Sequence, residues 1–140
     1  MTGGLGPRQV SVILPAYNAE AFIATAVKSI LEQSLEDFEL LVIDDGSTDS
    51  TAEVAGSFPD PRLRLLRNGA NLGLVASLDR GLAESHGKYI ARMDADDYSY
   101  SSRFALQVDL LERNSRLGVV GSWYETFGEG QAARVVRLPT

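Results

Sequence analysis

Three carboxylates, Asp94, Asp96 and Asp97, crowd the end of the run Lys88-Tyr-Ile-Ala-Arg-Met-Asp-Ala-Asp-Asp-Tyr98. Like charges this close repel, so a pKa must rise unless something positive compensates. Hard cations such as Mg²⁺ or Mn²⁺ take such oxygens, usually one or two carboxylates plus the phosphates of a substrate. The plainer reading is a solvated acidic turn that caps the next helix. Polar stretches also occur at Pro15-Ala16-Tyr17-Asn18, Asp44-Asp45-Gly46-Ser47 and Asn68-Gly69-Ala70-Asn71-Leu72-Gly73. The choice between the two readings depends on whether the fold gathers these stretches.

The elements that must position them alternate in type. Val10–Leu14 is an apolar run stopped by Pro15, which reads as a buried strand. Ala19–Gln33 keeps helical spacing at Phe22, Ile23, Ala26, Val27, Ile30 and Leu31. Phe38–Ile43 is a second strand, apolar along most of its length as parallel strands covered on both faces are. Ser50-Thr-Ala-Glu53 has the pattern of a capping box opening a short helix toward Phe58. Leu63–Leu66 is a third strand, and Leu74–Ser85 a third helix with Leu74, Leu78 and Leu82 on one face. Tyr89–Met93 is a fourth strand. Ser102–Asn114 is a fourth helix with Phe104, Val108 and Leu111 on one stripe. Leu117–Trp123 reads as a fifth strand and Arg134–Leu138 as a sixth. This βαβ alternation predicts an α/β fold, a doubly wound, mostly parallel sheet with helices on both faces. Residues 1–8 read as a flexible tail and residues 9–140 as one domain.

Composition narrows the chemistry. The chain has 140 residues, a formal net charge of −6, no cysteine and one histidine, His86. Disulfides, thiol nucleophiles and zinc–thiolate sites are excluded. The acidic balance lacks the electrostatic footprint of a nucleic-acid binder. A phosphate-bearing ligand would need a cation or local donors. No apolar run approaches a membrane span, and Met1–Pro7 lacks the apolar core of a signal peptide, so a cytoplasmic location is expected.

In a parallel sheet all strand carboxyl ends share one rim, where ligands bind. The first strand ends at Pro15–Asn18, the second at Asp44–Ser47, the third at Asn68–Gly73 and the fourth at Asp94–Asp97. The unusual acids, amides and glycines therefore converge, which a solvated turn does not predict. Tyr17 offers a face for a base to stack on, or is a plain loop aromatic, and backbone groups at Pro15 and Ala16 can read a base edge. Asp44 and Asp45 point to opposite faces. One anchors the turn; the other can accept from a ribose hydroxyl or a base imide. Asn71 and Gly73 stand near a helix amino end, which favours anions. Asp94, Asp96 and Asp97 can hold a divalent ion against a diphosphate.

Pro15-Ala-Tyr-Asn18, Asp44-Asp-Gly-Ser-Thr-Asp49, Asn71-Leu-Gly73, Gly87-Lys-Tyr-Ile90 and Asp94-Ala-Asp-Asp97, in this order and spacing, resemble the family 2 glycosyltransferases of the type-A fold. Arg103-Phe104 and Gln107-Val108 are similar to the subgroup that builds bacterial surface polysaccharides. The resemblance implies a Rossmann-like nucleotide-diphospho-sugar transferase fold. It also implies a nucleotide-diphosphate sugar donor, a Mn²⁺ or Mg²⁺ cofactor, and inverting transfer to a glycan or lipid-linked acceptor. The implied nucleotide-binding set is Pro15, Ala16, Tyr17, Asn18, Asp44, Asp45, Asn71, Gly73, Asp94, Ala95 and Asp96, with Asp96 or Asp97 on the metal. Relatives carry an Arg-Asn pair where this chain has Leu78-Asp79, leaving neighbouring Arg80 as a phosphate or base contact or as a surface charge.

Inverting transfer needs a general base. The resemblance puts that carboxylate in a Glu-Asp motif on the acceptor side, and nothing around Glu125 or Glu129 is like it. No catalytic residue is therefore assigned. The expectation is a donor-binding half, truncated before the acceptor half, with the base beyond Thr140. A receiver-type domain would need acids after its first strand, and a D-x-D-x-Thr phosphohydrolase would need Thr in place of Asp97. The remaining alternative is a non-catalytic nucleotide-binding or self-associating module, a homodimer through apolar surface near Trp123, Tyr124 and Phe127.

Overall fold

The computed structural model describes residues 8–137. The expected tail falls outside the described residues except for Arg8, and so do Leu138 and Thr140. Four strands form one parallel sheet in the order β3-β2-β1-β4: β1 (Val10–Ala16), β2 (Phe38–Asp44), β3 (Leu63–Arg67) and β4 (Tyr89–Arg92). Every residue of β1 and β2 is buried, as central strands covered on both faces require. Val12 pairs with Leu40 on one side and Ala91 on the other.

Alternation along the strands separates two cores. Val10, Val12 and Leu14 of β1 and Phe38, Leu40 and Val42 of β2 face helices α1 (Ile23–Leu31), α2 (Thr51–Gly56) and α4 (Arg103–Arg113). On the opposite face Ile13, Leu41 and Ile43 meet Leu66 and Leu78, the latter from α3 (Leu74–Ala83). Helices thus cover both faces, as the alternation predicts.

The departures have local causes. The residues of α3 that go deepest are Ser77 and Gly81, while Leu74 and Leu82 stay exposed. A Cβ on Gly81 would collide with the side chain of Ile13, so the helix approaches the sheet through its small residues. Phe22, expected on the buried stripe of the first helix, lies outside α1 and is exposed. The capping box does not form: Ser50 makes no side-chain cap, and Asp49 Oδ1 instead accepts the Thr51 N–H at 2.9 Å. Leu117–Trp123 is not a strand. Gly118 and Gly121 lower its extended propensity, and it pairs with no neighbour. The next strands are β5 (Tyr124–Gly128) and β6 (Gln131–Val136), an antiparallel hairpin separate from the main sheet.

At the amino rim a buried polar cluster closes the α3–β4 turn. Ser11 Oγ donates to Glu39 Oε1 at 2.6 Å and accepts the Gly87 N–H at 2.7 Å. The His86 N–H reaches the same carboxylate at 2.7 Å. Gly87 has to be glycine because a Cβ there would enter the backbone of Ser11. Together these contacts close the turn that leads into β4.

Candidate functional site

The carboxyl rim is built from loops laced to one another before any ligand is considered. After β1 the chain turns at Asn18, in the left-handed region at φ 46°. Its N–H donates to Ser47 Oγ at 3.0 Å, and its side-chain oxygen accepts the Thr48 N–H at 2.9 Å. The Ala19 N–H donates to Thr51 Oγ1 at 2.8 Å and the Ser50 N–H to Glu20 Oε2 at 3.0 Å. Asn18 is therefore occupied in joining the β1 and β2 loops.

Asp44 and Asp45 divide as adjacent extended residues should. Asp44 is buried and turned toward its own turn: Oδ1 accepts the Ser47 N–H at 3.3 Å, and Oδ2 lies 3.6 Å from Arg67 Nε. Asp45, also buried, faces the other way. Its oxygens accept Asn68 Nδ2 at 2.7 Å, the Leu72 N–H at 2.9 Å and the Gly73 N–H at 2.9 Å. Burial raises its pKa, but these donors outweigh that and hold it below the ordinary 3.8. The Leu72 and Gly73 N–H groups are therefore committed to Asp45, so of the expected pair Asn71 and Gly73, Gly73 does not offer its N–H to an anion.

A cleft of about 190 Å³ opens beside Asp45. It gathers Pro15, Ala16, Tyr17, Asp45, Asn71 and Gly73 of the predicted set, with Leu74 and Ser77 as well. Tyr17 is 49% exposed at its mouth, its ring free to take a planar partner. Gly46, at φ 71°, lets the loop that carries Asn71 pack close: a Cβ there would strike the backbone of Ala70 and Asn71. A larger groove of about 550 Å³ runs along β4 and α4, and none of the predicted site residues lines it.

The Met93 N–H donates to Ile13 O at 3.1 Å, and the chain then leaves the sheet at the same rim. Met93 and Ala95 are buried, whereas Asp96 and Asp97 turn outward. Asp94 differs from them, forming a 2.8 Å ion pair with Arg92. Among the described residues Asp96 and Asp97 have no such partner, and no three acids converge on one point. Partial burial, then the charges of Asp96 and Asp94, push the Asp97 carboxyl above its ordinary 3.8, against the pull of Arg103 and Arg92. A pair of outward carboxylates short of positive charge suits a hard cation that keeps water or phosphate as its other ligands.

Sequence reasoning missed Ser77 and the part that Asn68 plays. Asn68 registered as a turn residue, yet its amide links Asp45 to Ser77 Oγ at 3.1 Å. Arg80, partly exposed, donates to Asn68 Oδ1 and to Arg67 O, both at 2.7 Å, and so braces the end of β3. The signal available for Asn68 was its place at the end of a strand on the rim that holds Asp45. Glu125 accepts the Tyr100 hydroxyl at 2.6 Å.

The model of the family "Glycosyl transferase family 2" matches residues 11–138. The chain belongs to that family. Among its relatives, EpsE of Bacillus subtilis (strain 168), named as a glycosyltransferase, is 41% identical over 127 residues, 89% of this chain and 45% of the relative. UDP-Glc:alpha-D-GlcNAc-diphosphoundecaprenol beta-1,3-glucosyltransferase WfgD of Escherichia coli is 33% identical over 114 residues, 81% of this chain and 45% of the relative. The structure of Staphylococcus aureus TarS 1-349 with UDP-GlcNAc superposes at a TM-score of 0.71 and 26% identity, over 75% of this chain and 31% of that one. The mannosyltransferase PcManGT of Pyrobaculum calidifontis with GDP-Man and Mn²⁺ superposes at 0.60 and 31% identity, over 68% and 29%. The chain spans about half, or less, of the length of the curated relatives it matches. Among the described residues no helix is long and apolar enough to cross a membrane.

Proposed function

We propose that the chain is the donor-binding portion of an inverting glycosyltransferase of cell-surface polysaccharide synthesis, acting in the cytoplasm on a nucleotide-diphosphate sugar. The observation that carries this reading is the cleft where Tyr17, Asp45, Asn71 and the backbone of Pro15 and Ala16 meet. Asp45 lines the cleft with an accepting carboxylate, which suits a base that presents an N–H, with the Tyr17 ring against its face. Asp94 and Ala95 would flank the ribose and diphosphate. Asp44 and Asn18 would serve the site by holding its loops.

Asp96 and Asp97 would hold Mn²⁺ or Mg²⁺. Bound there, the ion would neutralise charge on the departing diphosphate. The PcManGT complex with GDP-Man and Mn²⁺ supports this assignment by analogy. The name of WfgD, which specifies a diphosphoundecaprenol-linked acceptor, supports a glycan or lipid-linked acceptor. No described residue is assigned as the general base. Calorimetric titration with UDP or GDP, with and without Mn²⁺, tests the metal site. Asp96→Ala should lose the Mn²⁺-dependent affinity, by about tenfold; equal binding by both proteins would sink the assignment.

Trp123, Tyr124 and Phe127 are 53%, 53% and 70% exposed, which favours a second reading, a homodimer through this apolar face. Light scattering that gives the monomer mass at all concentrations would remove it.

A further inference from the structure

We propose that Gln33 is the positioning residue for the acidic run, an inference that rests on the metal reading of Asp96 and Asp97. Gln33 follows α1 and is buried, at 4% exposure. Its Nε2 donates to Tyr100 O at 2.8 Å, with Ser29 O at 3.1 Å and Ser99 Oγ at 3.2 Å around it. Its Oε1 accepts the Phe104 N–H at 3.1 Å. One amide therefore bonds both the loop after the acids and the first turn of α4. Two tethers run beside it: the Ser99 N–H donates to Ser29 Oγ at 3.0 Å, and the Ser34 N–H to Ser101 O at 2.8 Å.

The acids depend on this attachment because they have little of their own. Upstream the sheet ends at the Met93 bond to Ile13. From Asp94 to Tyr98 the backbone–backbone hydrogen bond among the described residues is that of the Asp97 N–H to Asp94 O, at 3.2 Å. The run is a short span between two fixed points, β4 and the Gln33 clamp. If the downstream point moves, the directions of Asp96 and Asp97 change. The position needs a side chain that donates and accepts at once and reaches across the gap between α1 and the loop. Leucine would leave the Tyr100 carbonyl and the Phe104 N–H without partners in a buried place. Glutamate keeps the acceptor but sets a carboxylate against carbonyl oxygens.

The test compares Gln33→Glu and Ser29→Ala with the parent chain in titrations of UDP and GDP, with and without Mn²⁺. Glu39→Gln, at the far rim, serves as a control for lost stability. Gln33→Glu should lose the Mn²⁺-dependent gain in affinity by about tenfold, while affinity without metal stays. Ser29→Ala removes one tether, should show the same split at smaller size, and decides the matter if Gln33→Glu does not fold. Glu39→Gln should melt earlier and keep the Mn²⁺ gain. Amide exchange in Gln33→Glu should quicken over residues 97–104 and not in β1 or β2. A full Mn²⁺ gain in Gln33→Glu, or a loss shared equally by Glu39→Gln, would overturn the proposal and leave the metal reading standing. A parent chain that binds UDP and GDP no tighter with Mn²⁺ would overturn both.

Discussion

Each edge of the sheet carries a carboxylate almost wholly withdrawn from water, Glu39 at the amino edge and Asp45 at the carboxyl edge. Both keep a depressed pKa, although burial alone would raise it, because hydroxyl, amide and backbone donors surround them. Their surroundings then diverge. Glu39 closes a turn against Ser11 and His86, and the chain packs over it until Gly87 meets the Ser11 backbone. Asp45 holds a loop open and lines a cleft. Nearby, Asp96 and Asp97 form no ion pair among the described residues, and the pull of Arg103 and Arg92 falls short of offsetting the burial and neighbouring charges that raise Asp97. A buried, well-bonded acid is thus compatible with pure architecture; what separates the two edges is open space and uncompensated charge beside it.

Two glycines test that division most strongly. Gly87→Ala and Gly46→Ala each force a Cβ into backbone, and each should cost about 3 kcal/mol in urea denaturation. Gly46→Ala should cost the more, since its φ of 71° disfavours any side chain. Nucleotide binding at low temperature should survive Gly87→Ala and fail in Gly46→Ala. Loss of binding in both would erase the functional distinction between the edges.

A smaller effect is expected in acid. A carboxylate whose folded pKa is depressed adds stability that is complete above its unfolded pKa and fades as pH falls through the folded one. Asp45→Asn and Glu39→Gln should therefore flatten the loss of stability below the ordinary values of 3.8 and 4.5. Asp97 has the opposite sign: its raised pKa makes the charged form a burden above 3.8. Asp97→Asn should melt slightly later at neutral pH, by a few tenths of a kcal/mol at this solvent-screened position, and equal the parent below that pH. An Asp97→Asn chain less stable at neutral pH would mean that its charge is already balanced.

The order of strands and helices was legible because buried parallel strands and amphipathic helices write their periods directly into the residues. The rim followed from that order, since parallel strands end together; this located Tyr17, Asp45 and the acidic run. Periodicity served less well where contact distance decides. Leu74, Leu78 and Leu82 share one face of α3, but of the three only Leu78 packs on the core; Ser77 and Gly81 go deepest, Gly81 where a close approach to Ile13 excludes a Cβ. Leu117–Trp123 has β-prone residues, yet a strand exists by pairing, and no single segment encodes its partner. Gln33 and Asn68 are ordinary polar residues until the backbone folds around them. Their meaning lies in the distances to Tyr100 O and to Asp45, which composition and spacing do not carry.

The lacing of Asn18, Ala19 and Ser50 across the β1 and β2 loops has a thermodynamic consequence. Ordering a backbone residue costs about 1–2 kcal/mol of conformational entropy, and here that ordering belongs to folding. A ligand entering the cleft meets loops whose freedom is already gone, so its contacts with Tyr17 and Asp45 appear in the affinity with little entropic loss set against them.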